Sequence, residues 1–482
     1  MTLQAGAAEA DITPPFPVDL LGYVRRPSAA RFAYEPLMAS ACVFRTPETT
    51  VVVVAADVVG LGANMADRIR ARVGEAVGCD PGGVLLNSSH THAAPWPGAT
   101  IKLGGEHDGW TDVERRYWDS IPDRYASVAM QAAERLVPAR VSGGVGEVTG
   151  LAVNRRERTA DGRTILGWNR DGVRDDSVVA IRVDAAAGER AVPVPLATVV
   201  SFACHPVVIG PDVPGAGPDF VGPLRHQATA QRDGAVTVFL QGAAGDALPL
   251  ESFGEAGSHE VARQFGQRIA LEAVHAVSDA SPWAIDVERS EWGSVTPIAR
   301  YRRRLSATQP PQHLATSRRV VSLPLLDLPE VADLERELVE RRDDLRARTA
   351  RGETRTTTNP IRYHIAWLER MLGLDAAGGR PTSVAGEVWA ARIGDCAIVG
   401  APGEIFGAIG TAVRRRSPAG TTIFAGYCQA TLGYVATPDE YPYGGYEPSV
   451  SHRGYGQPAP FSPEVAGILE STAVELLEEL FA

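Results

Sequence analysis

The sequence predicts an α/β fold in which mixed β-sheets are layered with helices. Three observations predict it. Short apolar, β-branched runs recur along the chain, each closed by a turn or polar residue. Stretches with helical apolar periodicity alternate with them. Four of the strand ends open into loops carrying His, His, Asp and Glu, and in α/β folds the loops beyond the carboxyl ends of strands collect the chemistry.

In chain order, residues 50–57 (TVVVVAAD) read as a buried strand ending in a carboxylate. A helix is expected over 62–78, then a short strand over 83–87 and a helix over 112–136. Strands follow over 196–202 and 236–241, a helix over 259–277, a strand over 396–400 and a helix over 405–415. Residues 463–482 read as a closing amphipathic helix. Residues 300–385 differ in composition. They hold the basic run Arg302, Arg303, Arg304 and two amphipathic stretches, 328–351 and 363–374. This predicts a helical insertion over 300–385 within a single domain spanning 1–482. Its charges read as a solvated face, with a substrate lid or dimer contact as the other reading.

The chain has 482 residues, 44% hydrophobic and 22% charged, the profile of a globular protein. A net charge of −11 argues against nucleic-acid partners and against a basic membrane patch. The first residues lack the basic and apolar regions of a signal peptide. No apolar run reaches the ~18 residues of a membrane span. The five scattered cysteines contain no Cys-x-x-Cys, which suits a reducing compartment. The expectation is a cytoplasmic protein acting on a small molecule.

The run Asn87-Ser88-Ser89-His90-Thr91-His92-Ala93-Ala94-Pro95 follows the strand at 83–87. On an extended backbone, i and i+2 share a face. Two imidazoles so placed reach one metal, or one binds metal while its neighbour handles a proton. His205, in Ser201-Phe202-Ala203-Cys204-His205-Pro206, is held stiffly before a proline. If it faces a site, Cys204 faces the core. Glu404 precedes an apparent helix at Ile405, where a first-turn acid is ordinary. Tyr434 lies in a stretch crowded with Tyr427, Tyr441, Tyr443 and Tyr446, either packed core or a substrate-lining loop. Trp96, Trp110 and Trp168 carry the same two readings.

These segments together resemble the catalytic domain of neutral, non-lysosomal ceramidases, the zinc-dependent amidases that cleave the amide of ceramide. The likeness runs over nearly the whole chain. It begins with Ala8-Glu9-Ala10-Asp11-Ile12-Thr13-Pro14-Pro15 and Leu21-Gly22-Tyr23. It continues through Ala55-Ala56-Asp57, Ser89-His90-Thr91-His92, Val153-Asn154-Arg155, Phe202-Ala203-Cys204-His205, Ala244-Gly245-Asp246, Pro402-Gly403-Glu404 and Tyr434-Val435-Ala436-Thr437-Pro438-Asp439-Glu440-Tyr441. The resemblance implies a zinc ion held by His90, His205, Glu404 and Tyr434, with His92 and Arg155 as catalytic residues. It places Asn154 and Asp246 behind them, Asp246 orienting a histidine. Another divalent ion fits the same N/O donors.

The chain departs from the ceramidase pattern in four places. Leu248 stands where ceramidases have a serine in Gly-Asp-x-Ser-Pro. No C-terminal immunoglobulin-like domain and no secretion signal are expected. Ala93-Ala94-Pro95-Trp96-Pro97 replaces a glycine-rich stretch. These departures predict a soluble small-molecule substrate rather than ceramide. The expected chemistry is hydrolysis of a linear amide by activated water. His92 would act as base and then acid, and Arg155 would stabilise the oxyanion. Two alternatives are an ester or lactone hydrolase, or a carbonyl-polarising lyase or cyclase, on the same scaffold. A third is a non-catalytic metal-binding protein.

Overall fold

The computed structural model describes residues 2–23, 26–95, 110–185, 194–254, 258–293 and 295–482. Two sheets lie face to face between two helical layers. The larger sheet has eight strands in the spatial order Val236–Gln241, Val194–Phe202, Ser177–Ala185, Val137–Glu147, Gln4–Asp11, Met38–Arg45, Thr50–Ala56 and Val84–Ser88. Six consecutive strands pair antiparallel, while each edge strand runs parallel to its neighbour. Parallel pairing needs a crossover. Helices Ala63–Val77 and Val221–Gln231 supply it at the two ends.

Strand alternation explains the layering. Val52, Val54 and Ala56 point into a core shared with helices Ala63–Val77 and Asp112–Glu134, while Val51, Val53 and Ala55 point to the opposite face. That face packs on Trp389, Ile398 and Ile423 of the second sheet. The second sheet is four-stranded, in the order Leu314–Pro324, Ser383–Ile393, Cys396–Gly400 and Thr421–Ala425. Its outer face, with Ala397 and Val399, packs under helices Gly407–Arg416 and Val465–Phe481. Helix Asp112–Glu134 opens with a complete capping box between Thr111 and Glu114. Helix Ala63–Val77 stops at Gly78, whose φ of 73° is left-handed.

The stretch 300–385 is helical only in its middle. Helices Val331–Ala350 and Arg355–Ala376 pack through Leu334, Leu338, Trp367, Leu368 and Met371. The residues before them are strands. Ile285–Trp292 and Ile298–Leu305 form a solvent-exposed hairpin, and Leu314–Pro324 joins the second sheet. The run Arg302, Arg303, Arg304 alternates across that hairpin, and all three are exposed. The helix expected from Ile405 begins at Gly407, because Glu404–Ile405 instead pairs in parallel with Tyr434–Val435. No helix of the described residues is long and apolar enough to cross a membrane.

Candidate active site

The site sits where strand ends of the two sheets meet. Strand Val84–Ser88 delivers His90 and His92, and strand Val194–Phe202 delivers His205. Strand Ala152–Arg158 carries Arg155. The parallel bridge of Glu404 with Tyr434 brings in the carboxylate and a phenol. Gln241, fully buried at the end of the neighbouring strand, ties the two histidine loops. Its Nε2 donates to Ser89 O at 3.1 Å and to Cys204 O at 2.8 Å, the residues before His90 and His205.

The extended-backbone premise for His90 and His92 does not hold. The strand ends at Ser88, and His90 has a φ of 66°, a left-handed value that costs a non-glycine residue energy and clusters at functional sites. The two imidazoles nevertheless converge. His92 Nε2 lies 3.3 Å from His90 Nε2, and the ring centroids of His90 and His205 are 4.9 Å apart. One ligand nitrogen from each of His90, His92 and His205 falls within 4.8 Å of the others, a group able to hold a metal ion.

Hydrogen-bond chemistry tests whether a cation fits. His90 Nδ1 lies 2.5 Å from Val59 O, and His205 Nδ1 lies 2.7 Å from Ala244 O. Carbonyls only accept, so both Nδ1 atoms carry a proton, and a neutral ring then turns an Nε2 lone pair to the site. Those Nε2 atoms face Glu404 Oε2 at 3.4 and 3.0 Å. Three acceptors directed at one another need a cation or protons between them. Glu404 is completed by Tyr427 Oη, which donates to Oε2 at 3.3 Å, and by Tyr455 Oη, which donates to Oε1. Burial pushes the Glu404 carboxyl up, but the His90 and His205 imidazoles outweigh burial and hold it well below the usual range. Burial, then Arg155, lowers His205 to about 4. Burial, then His90 and His205, holds His92 well below its ordinary value. These residues therefore gather imidazole nitrogens and a carboxylate oxygen, with His90, His205 and Glu404 buried and His92 half-buried, a donor set that suits zinc or a similar divalent ion.

Arg155 lies against this set. Its Nη1 is 3.1 Å from His205 Nε2, its guanidinium lies 5.1 Å from the Tyr434 ring centroid, and its Nη2 is buried without a hydrogen-bond partner among the described residues. Burial favours loss of its charge, but Tyr434, Glu447 and Glu404 hold it well above the usual guanidinium range. Gly22, at φ +102°, touches His92 from the other side. A Cβ there would stand 2.3 Å from His92 Cγ, so the imidazole fits only against glycine.

Other sequence expectations resolve differently. Asp246 makes no hydrogen bond to a histidine among the described residues. Its Oδ2 accepts from Asn154 Nδ2 at 3.0 Å and its Oδ1 from Gly407 N at 2.8 Å, and burial raises it to about 7. It buttresses strand Ala152–Arg158 and the helix start, while backbone carbonyls orient the histidines. Leu248 packs with Val153 and Val207. Cys204 faces the apolar core as expected, and burial pushes its thiol up. Trp110 is core and Trp168 is exposed on strand Thr164–Asn169. Trp96 lies outside the described residues.

Three functional residues escaped the sequence reading: Gln241, Glu447 and Tyr455. A signal existed for Glu447. Arg155 and Arg156 adjoin on a buried strand, and two buried guanidiniums require a carboxylate.

No family model matches the chain, and no curated protein matches it in sequence. Solved structures do. The neutral ceramidase from Pseudomonas aeruginosa matches with a TM-score of 0.67 at 17% identity, over 100% of this chain and 74% of that one. A ceramidase complexed with C2 matches with a TM-score of 0.65 at 18% identity, over 100% of this chain and 75% of that one. From end to end, this chain has the fold of a neutral ceramidase.

Proposed function

We propose that the protein is a zinc-dependent amidohydrolase that cleaves the linear N-acyl bond of a small molecule. The observation that carries this reading is the convergence of the buried His90 Nε2 and His205 Nε2 on Glu404 Oε2, at 3.4 and 3.0 Å. His90, His205, Glu404 and Tyr434 would hold the ion. Zinc in such a set supplies Lewis acidity, which makes water nucleophilic near neutral pH.

The chain's own residues do the rest. His92 is half-buried, its surroundings hold its pKa well below the ordinary value, and its Nε2 is the nitrogen facing the polar atoms of the site. It takes a proton from the attacking water and delivers it to the leaving nitrogen as the C–N bond breaks. Arg155, charged and fixed, directs its unpartnered Nη2 to the carbonyl oxygen as negative charge gathers there. Leu248 offers no hydroxyl, so this route uses none at that position.

Metal content by inductively coupled plasma mass spectrometry, on protein purified without added metal or chelator, tests the site. About one zinc per chain, lost in His205→Ala, is expected. A panel of amides and matched esters then tests the reaction. Turnover of esters alone would favour the ester or lactone reading. Absence of stoichiometric metal from folded protein would favour a binding role without catalysis.

A further inference from the structure

A cavity of about 340 Å³ opens beside His90, His92 and Glu404. It lies near the lower end of the ~300–1,000 Å³ range of small-molecule pockets. Apolar side chains and the rings of Tyr434, Tyr446 and Tyr455 line it, and these rings favour edge-to-face contact with another ring. One wall comes from helix Arg355–Ala376, through Pro360, Tyr363 and His364.

That wall is fixed in place. Arg453 reaches the cavity, yet both its Nη atoms pair with Glu337 of helix Val331–Ala350, at 3.0 and 3.3 Å. Its guanidinium also stacks 4.6 Å from the Trp367 ring centroid, and Trp367 Nε1 donates to Gln457 O at 2.8 Å. Burial, with Arg453 beside it, lowers His364 and keeps it neutral. Away from the reacting centre, the charge facing the cavity is thus already neutralised among the described residues.

We propose that the helical pair Val331–Ala350 and Arg355–Ala376 sets substrate size, and that the group admitted beside the scissile carbonyl is compact and uncharged, an aryl or short branched acyl group. This rests on the hydrolase reading above. The test is calorimetric binding of product-like carboxylates to the metal-replete protein: acetate, isovalerate, phenylacetate, octanoate and laurate. Affinity should rise at least tenfold from acetate to phenylacetate and fall at least tenfold by laurate. Tyr363→Ala, and separately His364→Ala, should move the optimum toward octanoate. Affinity that climbs steadily to laurate, or a ranking unchanged in both variants, overturns the proposal. Binding is read without turnover, so the two readings fail separately. A protein that hydrolyses amides but shows no such size optimum loses the size filter alone. One that binds phenylacetate best but never cleaves its amides loses the hydrolase reading alone.

Discussion

Arg155 Nε donates to Glu447 Oε1 at 2.7 Å, and both side chains are buried although 292 residues separate them. The other oxygen of Glu447 accepts from Arg156 Nη1 at 2.5 Å. One carboxylate therefore sets two guanidiniums and leaves Arg155 Nη1 and Nη2 directed at the site. Glu447→Ala should keep the metal and lower kcat about 100-fold, because misplacement by ~1 Å costs about that much. Stripping the partner from a buried charge should also cost about 3–5 kcal/mol of stability. Glu447→Gln, which still offers an acceptor, should recover part of kcat. Steady-state kinetics beside metal analysis check this. Equal kcat in all three proteins would remove Glu447 from the positioning of Arg155.

His90→Ala and His205→Ala should each lose both metal and turnover. His92→Ala should retain the metal and lose about 10²–10⁴ in rate, the usual contribution of a positioned acid–base group. Full turnover in His92→Ala would end its role as base. Loss of metal in that variant would make it a ligand, as its position 3.3 Å from His90 Nε2 also permits.

Gln241→Leu leaves the carbonyls of Ser89 and Cys204 without their shared donor. Each buried group so orphaned costs about 1–3 kcal/mol. The histidine loops should loosen together, weakening metal affinity about 10–100-fold, as for other residues that orient ligands. Chelator competition measures this, and urea denaturation gives the stability term.

Glu35 supplies a pH test away from the site. Burial raises it to about 7 from an ordinary value of 4.5. Between those values the folded protein binds more protons than the unfolded chain, so this group's contribution favours folding at low pH. That contribution is lost as pH rises through 7. Glu35→Gln should therefore gain stability relative to the parent at pH 8 compared with pH 5. Urea midpoints at the two pH values decide it, and a difference that does not change with pH would contradict the assignment.

Local pattern carried much of the fold. The strands around Val53, Leu85, Val199 and Ile398 were legible because each is a short apolar run closed by a turn or polar residue, and the amphipathic helices because their apolar faces repeat. The strand-end loops of His90 and His92, His205 and Glu404 already pointed to a common site, but the place of Arg155, on strand Ala152–Arg158, was legible only through resemblance. What escaped was non-local or conformational. Glu404 reads as a first-turn acid, and only its bridge to Tyr434 makes it a strand residue. The left-handed backbone of His90 follows from tertiary contacts, including His90 N to Val58 O at 3.0 Å. Asp246 carried the residue type expected of a histidine partner, but its bonds go to Asn154 and Gly407.

The packing of one sheet on the other has a thermodynamic consequence. His90 and His205 hang from the eight-stranded sheet, while Glu404 and Tyr434 follow strands of the four-stranded one. An ion held as proposed would tie both sheets together like a rivet. Its occupancy is linked to global unfolding: at a free concentration a hundred times its Kd, it adds about 2.7 kcal/mol to the folded state.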